Sequence, residues 1–307
     1  MAVTDVPTAK RTGMTRRERR AVLVGLLFLT PWIIHMILFE LYPFIASLYY
    51  SLTVYTLLQP PIYVGLDNYV GLFFQDGLFW TSMFNTVYYM ILAVGCGTIV
   101  GIVLAMLLNL KVRAMAVYRT IFYLPSVTPI VALSIVWLWL YNSQYGIINN
   151  AISAIGLPTI GWLSDPAWAK IGLVMISLWT VGGAVIIYLA GLQDIPQDLY
   201  EAAEIDGANS WNKTMNVTLP LLSPVILFNV ITGMIGAFQY FTQAFIMTGG
   251  GPGDSTLMYS LYLYFNAFRY FKMGYASAMA WVLFLLVMGF TLLVFRSSAR
   301  WIYYGGK

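Results

Sequence analysis

From Asp194 the chain reads Asp-Ile-Pro-Gln-Asp-Leu-Tyr-Glu-Ala-Ala-Glu-Ile-Asp-Gly, then Ala-Asn-Ser-Trp-Asn-Lys-Thr-Met-Asn-Val-Thr-Leu-Pro to Pro220. These residue types suit docking. Asp194 can cap a helix whose first turn tolerates Pro196, Asp198 adds favourable charge near its positive end, and Gly207 is placed to stop it. The spacing predicts a helix in which Ala202 and Ala203 make a smooth patch beside Glu201 and Glu204. So short a helix is marginal alone in water. It is expected to seat on another surface, and its small side chains would let a partner's groove come close to the backbone. A second helix is predicted from near Ser210, running into an apolar segment at Pro220.

Another concentration of polar chemistry lies inside an apolar segment at 233–245, which mixes Gln239 and Gln243 with Phe238, Tyr240, Phe241 and Phe245. Aromatic faces with amides suit a sugar-like solute. Polar groups in hydrocarbon are costly unless they face a cavity or a neighbouring helix. Gly236, Tyr240 and Gln243 lie three and four apart, hence on one helical face. The alternative is that these groups only join helices or touch another subunit. Trp179, Gly182 and Gly183 form a weaker candidate in the preceding span.

Sets that make or break bonds are missing. There is no Gly-x-x-x-x-Gly-Lys-Ser/Thr loop, so the chain cannot cradle ATP in that way. His35 is the only histidine, which excludes a His-Glu-x-x-His site; no catalytic residue and no metal site is assigned. Glu40 is the one acid inside a span, near its outer end, and it and His35 are read as interface and packing residues. An ion-coupled carrier needs carboxylates at the bilayer midplane, and they are absent.

These residues sit in a chain that is 60% hydrophobic and 9% charged over 307 positions, against about 25% charged in soluble domains. The apolar residues arrive in blocks of span length. Six helical spans are predicted at roughly 21–50, 84–110, 118–141, 169–191, 220–248 and 275–297, the first broken by Pro31 and Pro43. Lys and Arg accumulate in cytoplasmic loops. With the N-terminus inside, thirteen of the sixteen face the cytoplasm and Lys170, Arg269 and Lys272 face outward. An even number of spans with both termini cytoplasmic follows. The net charge of +4 comes largely from the basic segment 1–20, a topology signal and not a nucleic-acid patch. Residues 21–307 form one transmembrane unit with the inner loop 192–219. Cys96 is the sole cysteine and allows no intrachain disulfide. Gly97 and Gly101 form a small-xxx-small pair fit for internal packing or subunit contact. Asn216-Val217-Thr218 matches a glycosylation acceptor but falls on the cytoplasmic side.

Glu201-Ala202-Ala203, three residues, Gly207, nine residues, then Val217-Thr218-Leu219-Pro220 resembles the EAA loop of binding-protein-dependent ABC importer permeases, with Val217 where isoleucine is usual. Leu41-Tyr42-Pro43 with Ser47 to Ser51, Gly65-Leu66-Asp67-Asn68-Tyr69, Asn85-Thr86, Thr248-Gly249-Gly250-Gly251-Pro252 and Gly274-Tyr275-Ala276-Ser277-Ala278 are similar to the carbohydrate-uptake branch, the maltose, lactose and glycerol-phosphate permeases.

The resemblance implies an all-α membrane protein of the type I ABC importer permease fold that works by alternating access. It implies a coupling helix carrying Tyr200, Glu201, Ala202, Ala203, Asp206 and Gly207, seated in a cytoplasmic ATPase dimer that uses ATP and Mg; this chain binds no cofactor itself. It also implies a second homologous permease, an extracytoplasmic solute-binding protein, and a sugar site drawing on Gln239, Tyr240 and Gln243; Trp179 stays the weaker candidate read from its own span. No basic group stands in the interior of the spans, which favours neutral sugars over phosphate esters.

Overall fold

The computed structural model describes residues 14–303; the expectation for a basic segment at 1–20 lies outside it up to residue 13. Four helical stretches are long and apolar enough to cross a membrane: Arg16–Ser51, Gly77–Leu108, Ser210–Met247 and Met273–Ser298. Two bent pairs, Met115–Val127 with Ile130–Leu140 and Pro166–Trp179 with Gly182–Gln193, bring the count to six if each is one span. Their large apolar side chains point outward: Phe28 is 83% exposed and Leu293 66%, as lipid contact requires.

The helices are α1 (Arg16–His35), α2 (Tyr42–Ser51), α3 (Asp67–Phe74), α4 (Gly77–Leu108), α5 (Met115–Val127), α6 (Ile130–Leu140), α7 (Ile147–Ala154), α8 (Pro166–Trp179), α9 (Gly182–Gln193), α10 (Gln197–Ile205), α11 (Ser210–Lys213), α12 (Leu219–Phe238), α13 (Thr242–Met247), α14 (Tyr259–Tyr264) and α15 (Met273–Ser298). Helix α4 is central, packing on α8, α9, α12 and α14. The main core gathers Phe79, Tyr89, Leu173, Ile176, Phe238, Tyr259 and Met279.

The spans bend where backbone chemistry demands it, and three expectations need correction. The first span does not break at its prolines. It continues through a π-helical segment, Met36–Leu41, in which the Tyr42 N–H reaches the Ile37 carbonyl. That wider turn accommodates Pro43, which has no N–H and whose ring crowds the preceding turn. The third span, expected straight over 118–141, turns by 99°. Thr128, held extended (φ −72°, ψ 133°) because Pro129 follows it, ends α5. The fifth, expected continuous over 220–248, is interrupted at 239–241 between α12 and α13.

The motifs spaced along the chain converge where α2 ends and α4 and α15 begin. A two-residue antiparallel ladder pairs Thr53 with Tyr63 and Val54 with Ile62. Asn68 donates to the carbonyls of Ser51 (2.8 Å) and Thr53 (2.9 Å), and Tyr69 donates to Ser51 Oγ at 2.8 Å. A side chain on Gly274 would strike the Thr53 carbonyl, so only glycine lets α15 start there. Asp76 caps α4 by accepting from the Leu78 and Phe79 N–H groups, and its other oxygen accepts from Tyr262 (2.6 Å) and Tyr275 (2.5 Å). Thr86 Oγ1 accepts from the Tyr259 N–H at 2.8 Å. Asn85, only 2% exposed, donates to the Asp254 and Leu257 carbonyls and accepts from Lys170 Nζ at 3.1 Å. Each of these side chains has a partner, which is how an apolar protein holds irregular backbone.

Candidate functional site: an inner helix and a central cavity

Within the 192–219 loop lies a nine-residue helix, α10, with Pro196 at its N-cap position and no side-chain cap. Asp194 does not cap it, contrary to expectation. It is the C-terminal cap of α9, too far upstream to reach the first free N–H groups of α10. Gly207 ends the helix as its type predicts. Its φ is +77°, its N–H donates to the Glu204 carbonyl, and the Ala208 N–H donates to that of Ala203. This paired closure needs the left-handed residue that glycine supplies.

Asp206 occupies the C-cap position. Ala202 is exposed beside Glu201 and Glu204, while Ala203 is half-buried. Ile205 (88% exposed) and Trp211 (67%) add apolar surface that nothing among the described residues covers.

The return leg starts where predicted. Asn209 caps α11 by accepting from the Asn212 N–H at 2.8 Å, and the helix passes through a π-helical segment, Thr214–Thr218, into α12. Two contacts clamp the legs together: Tyr200 and Thr218 share a hydroxyl hydrogen bond of 3.0 Å, and Lys213 Nζ meets Glu204 Oε1 at 2.5 Å.

At mid-depth the breaks open a cavity of about 260 Å³ between α4, α8, α9 and the α12–α13 junction. Its polar lining is Tyr89, Thr98, Ser177, Thr180, Tyr188, Asn229, Tyr240 and Gln243, with no charged side chain among them. The Tyr89 and Tyr240 rings lie 4.2 Å apart. The hydroxyls of Tyr188 and Tyr240 are buried without a protein partner, a costly state unless something else satisfies them.

Of the residues expected at a sugar site, Tyr240 and Gln243, each 8% exposed, face this cavity together with Gly236. They reach it because the helix breaks between them, not because they share one helical face. Gln239 is exposed and does not line it. Trp179 is 57% exposed and stands edge-on to Trp137 outside it. Sequence reasoning missed Tyr89, Ser177 and Asn229, which are single polar residues in apolar helices. Gly101 proves to be internal packing, since a Cβ there would lie 2.9 Å from the Tyr188 ring. His35 and Glu40 sit 3.8 Å apart on an exposed face, away from the cavity.

Residues 97–303 match the family model described as "Binding-protein-dependent transport system inner membrane component". The chain is 40% identical over 297 residues to the probable ABC transporter permease protein YesP of Bacillus subtilis (strain 168), covering 95% of this chain and 96% of the other. It is 39% identical to the lactose transport system permease protein LacF of Rhizobium radiobacter, covering 89% and 93%. Its structure superposes on a bacterial ABC transporter involved in the import of the acidic polysaccharide alginate, with a TM-score of 0.80, 26% identity and coverage of 92% and 96%. A multi-pass helical chain with this inner loop, without an ATP-binding motif of its own and matched over two thirds of its length, belongs to the inner membrane components of binding-protein-dependent transport systems, the permease subunits of ABC transporters whose ATPase is a separate chain.

Proposed function

We propose that this permease carries a neutral sugar or sugar-like solute inward by alternating access, with the central cavity as its passage site. The observation that carries the reading is the cavity lining: hydroxyls, two amides and two phenol rings 4.2 Å apart, uncharged throughout, with Tyr240 Oη and Tyr188 Oη buried and unpartnered. Such a lining suits solute hydroxyls. It leaves an acidic sugar without a counter-ion, and a carboxylate or phosphate moved out of water unpaired is strongly disfavoured. The lactose permease among the relatives supports a neutral cargo.

In this reading Tyr240 and Gln243 contact solute, Gln239 and Trp179 stand outside the contact set, and a second homologous permease completes the pathway. Helix α10, through Tyr200, Glu201, Ala202, Ala203, Asp206 and Gly207, seats on a cytoplasmic ATPase dimer that uses ATP and Mg. Ile205, exposed where no lipid reaches it, supports that seat. An extracytoplasmic solute-binding protein delivers cargo to the outer loops, and both termini face the cytoplasm, which places Arg296 and Arg300 with the other basic residues.

The test is gentle purification of the tagged chain with its bound subunits, identification of each by mass spectrometry, and reconstitution with the binding protein. ATP-dependent uptake of a neutral disaccharide, with a uronic-acid oligosaccharide excluded, is the expected result. Transport by this chain alone without ATP would overturn it in favour of an ion-coupled carrier.

A further inference from the structure

At the end of α4 nearest the 109–114 loop, a second crevice of about 320 Å³ opens between α5 and α9. Its walls are almost wholly apolar: Phe122, Val185, Ile186 and Leu189, closed at depth by Gly182. Gly182 lies so near the Phe122 carbonyl that any side chain there would collide with it, so the two helices touch at the deep end and diverge toward the loop. From Gly182 to Leu189 the crevice follows α9 for about 10 Å.

Arg119 stands at its mouth. The guanidinium Nε–H and one Nη2–H donate to the Leu108 carbonyl at 3.3 and 2.9 Å, which fixes the group at the C-terminus of α4. A carbonyl at a helix end carries only partial negative charge. The cation is therefore held without being neutralised, and three of its five N–H donors remain. Lys111 and Arg113 lie in the adjoining loop, and among the described residues the only ion pairs are His35–Glu40 and Lys213–Glu204, so none of these three cations has a carboxylate partner.

We infer that this crevice is a binding site for one anionic phospholipid of the adjacent leaflet, its phosphate on Arg119 and one acyl chain between α5 and α9. An apolar slot alone would accept any lipid tail. A positioned guanidinium with a free donor fork at headgroup level selects a phosphodiester whose remaining headgroup is uncharged or acidic, because it matches the phosphate geometry and lacks a carboxylate to compete. A choline headgroup sets its own cation against Lys111 and Arg113, which disfavours it. The leaflet is the cytoplasmic one in the orientation proposed above. That orientation is checked apart, by labelling Lys111→Cys with a membrane-impermeant thiol reagent, and the lipid inference stands or falls without it.

The experiment is native mass spectrometry of the intact purified complex after exchange into phosphatidylcholine nanodiscs containing one-fifth phosphatidylglycerol. The expected result is one retained phosphatidylglycerol per copy of this chain, lost in Arg119→Gln and retained in Arg119→Lys at a several-fold weaker level. Ile186→Trp fills the slot without touching the cation, and it should release the same lipid while the complex stays assembled. Equal retention of phosphatidylglycerol by wild type and Arg119→Gln would overturn the site. Equal loss of phosphatidylcholine and phosphatidylglycerol in that variant would overturn it too, by showing an apolar groove with no headgroup recognition.

Discussion

The Tyr200 hydroxyl lies 3.0 Å from Thr218 Oγ1, tying the middle of the exposed inner helix to the point where the return leg becomes α12. Thr218 is 5% exposed, so this is a sheltered hydrogen bond between two legs that share little else. In the proposed coupling role, Tyr200→Phe loosens α10 from the span it must move. A net contribution of about 1 kcal/mol is expected for such a bond. ATP-driven uptake should fall several-fold with ATPase activity retained, and adding Thr218→Val should cost little more. Additive losses in that double-mutant cycle would remove the pair from the coupling path.

Gly207→Pro puts a residue fixed near φ −65° where the backbone needs +77°, and it deletes the N–H that closes on Glu204. Uptake should vanish while the chain stays at normal levels in the membrane. Gly207→Ala, strained by about 1 kcal/mol, should be intermediate. Quantitative blotting beside uptake separates loss of function from loss of protein.

Gln243 is one of the two amides that line the cavity. Gln243→Ala should leave the co-purifying subunits unchanged and alter the ranking of neutral sugars by about tenfold, since a site built to hydrogen-bond a hydroxyl discriminates through that bond. Competition uptake with epimers reads it out, and an unchanged ranking would strike Gln243 from the contact set.

Asn85→Leu deprives the Asp254 and Leu257 carbonyls of their donor and Lys170 of its acceptor. With Asn85 fully enclosed, a loss of about 2 kcal/mol is expected. Thermal unfolding in detergent should show a lowered midpoint, whereas Gln144→Leu, at an exposed position, should not.

Burial, and then the hydrogen bond to the Asp76 carboxylate, pushes the Tyr262 phenol up from its ordinary value of 10.0. The folded form therefore favours the neutral phenol. Its stabilisation is complete below pH 10 and is lost as the pH rises through the higher folded-state value. Thermal midpoints measured from pH 8 to 11 should fall at the alkaline end, and Tyr262→Phe should lessen that slope. A slope identical in the variant would mean that Tyr262 is not among the groups that titrate on unfolding.

The span count and the inner loop were legible because both rest on strong local signals: long apolar blocks, and a glycine whose position demands a left-handed backbone. The 99° turn at Thr128 also had a signal, Pro129, which a reading by hydropathy passed over. The interruption at 239–241 had none, since no glycine or proline stands there and the break depends on what packs around it. For that reason the helical-face argument brought Tyr240 and Gln243 together by a wrong route, and Gln239, which the family resemblance suggested, does not line the cavity. The outer polar cluster escaped for a different reason. Asp76 lies 186 positions from Tyr262 and 199 from Tyr275 in the chain, and no local pattern announces such a meeting.

Residues 210–238 form one continuous helix, about 43 Å long at 1.5 Å per residue, and a bilayer core is roughly 30 Å thick. About a quarter or more of this rod must therefore stand clear of the hydrocarbon. In the coupling role proposed above it would work as a lever: one end is gripped at Thr218 and Lys213, and the other would carry its stroke to Tyr240. Transmission across the membrane then requires no relay of switching side chains, only that a stiff beam be tilted at one end.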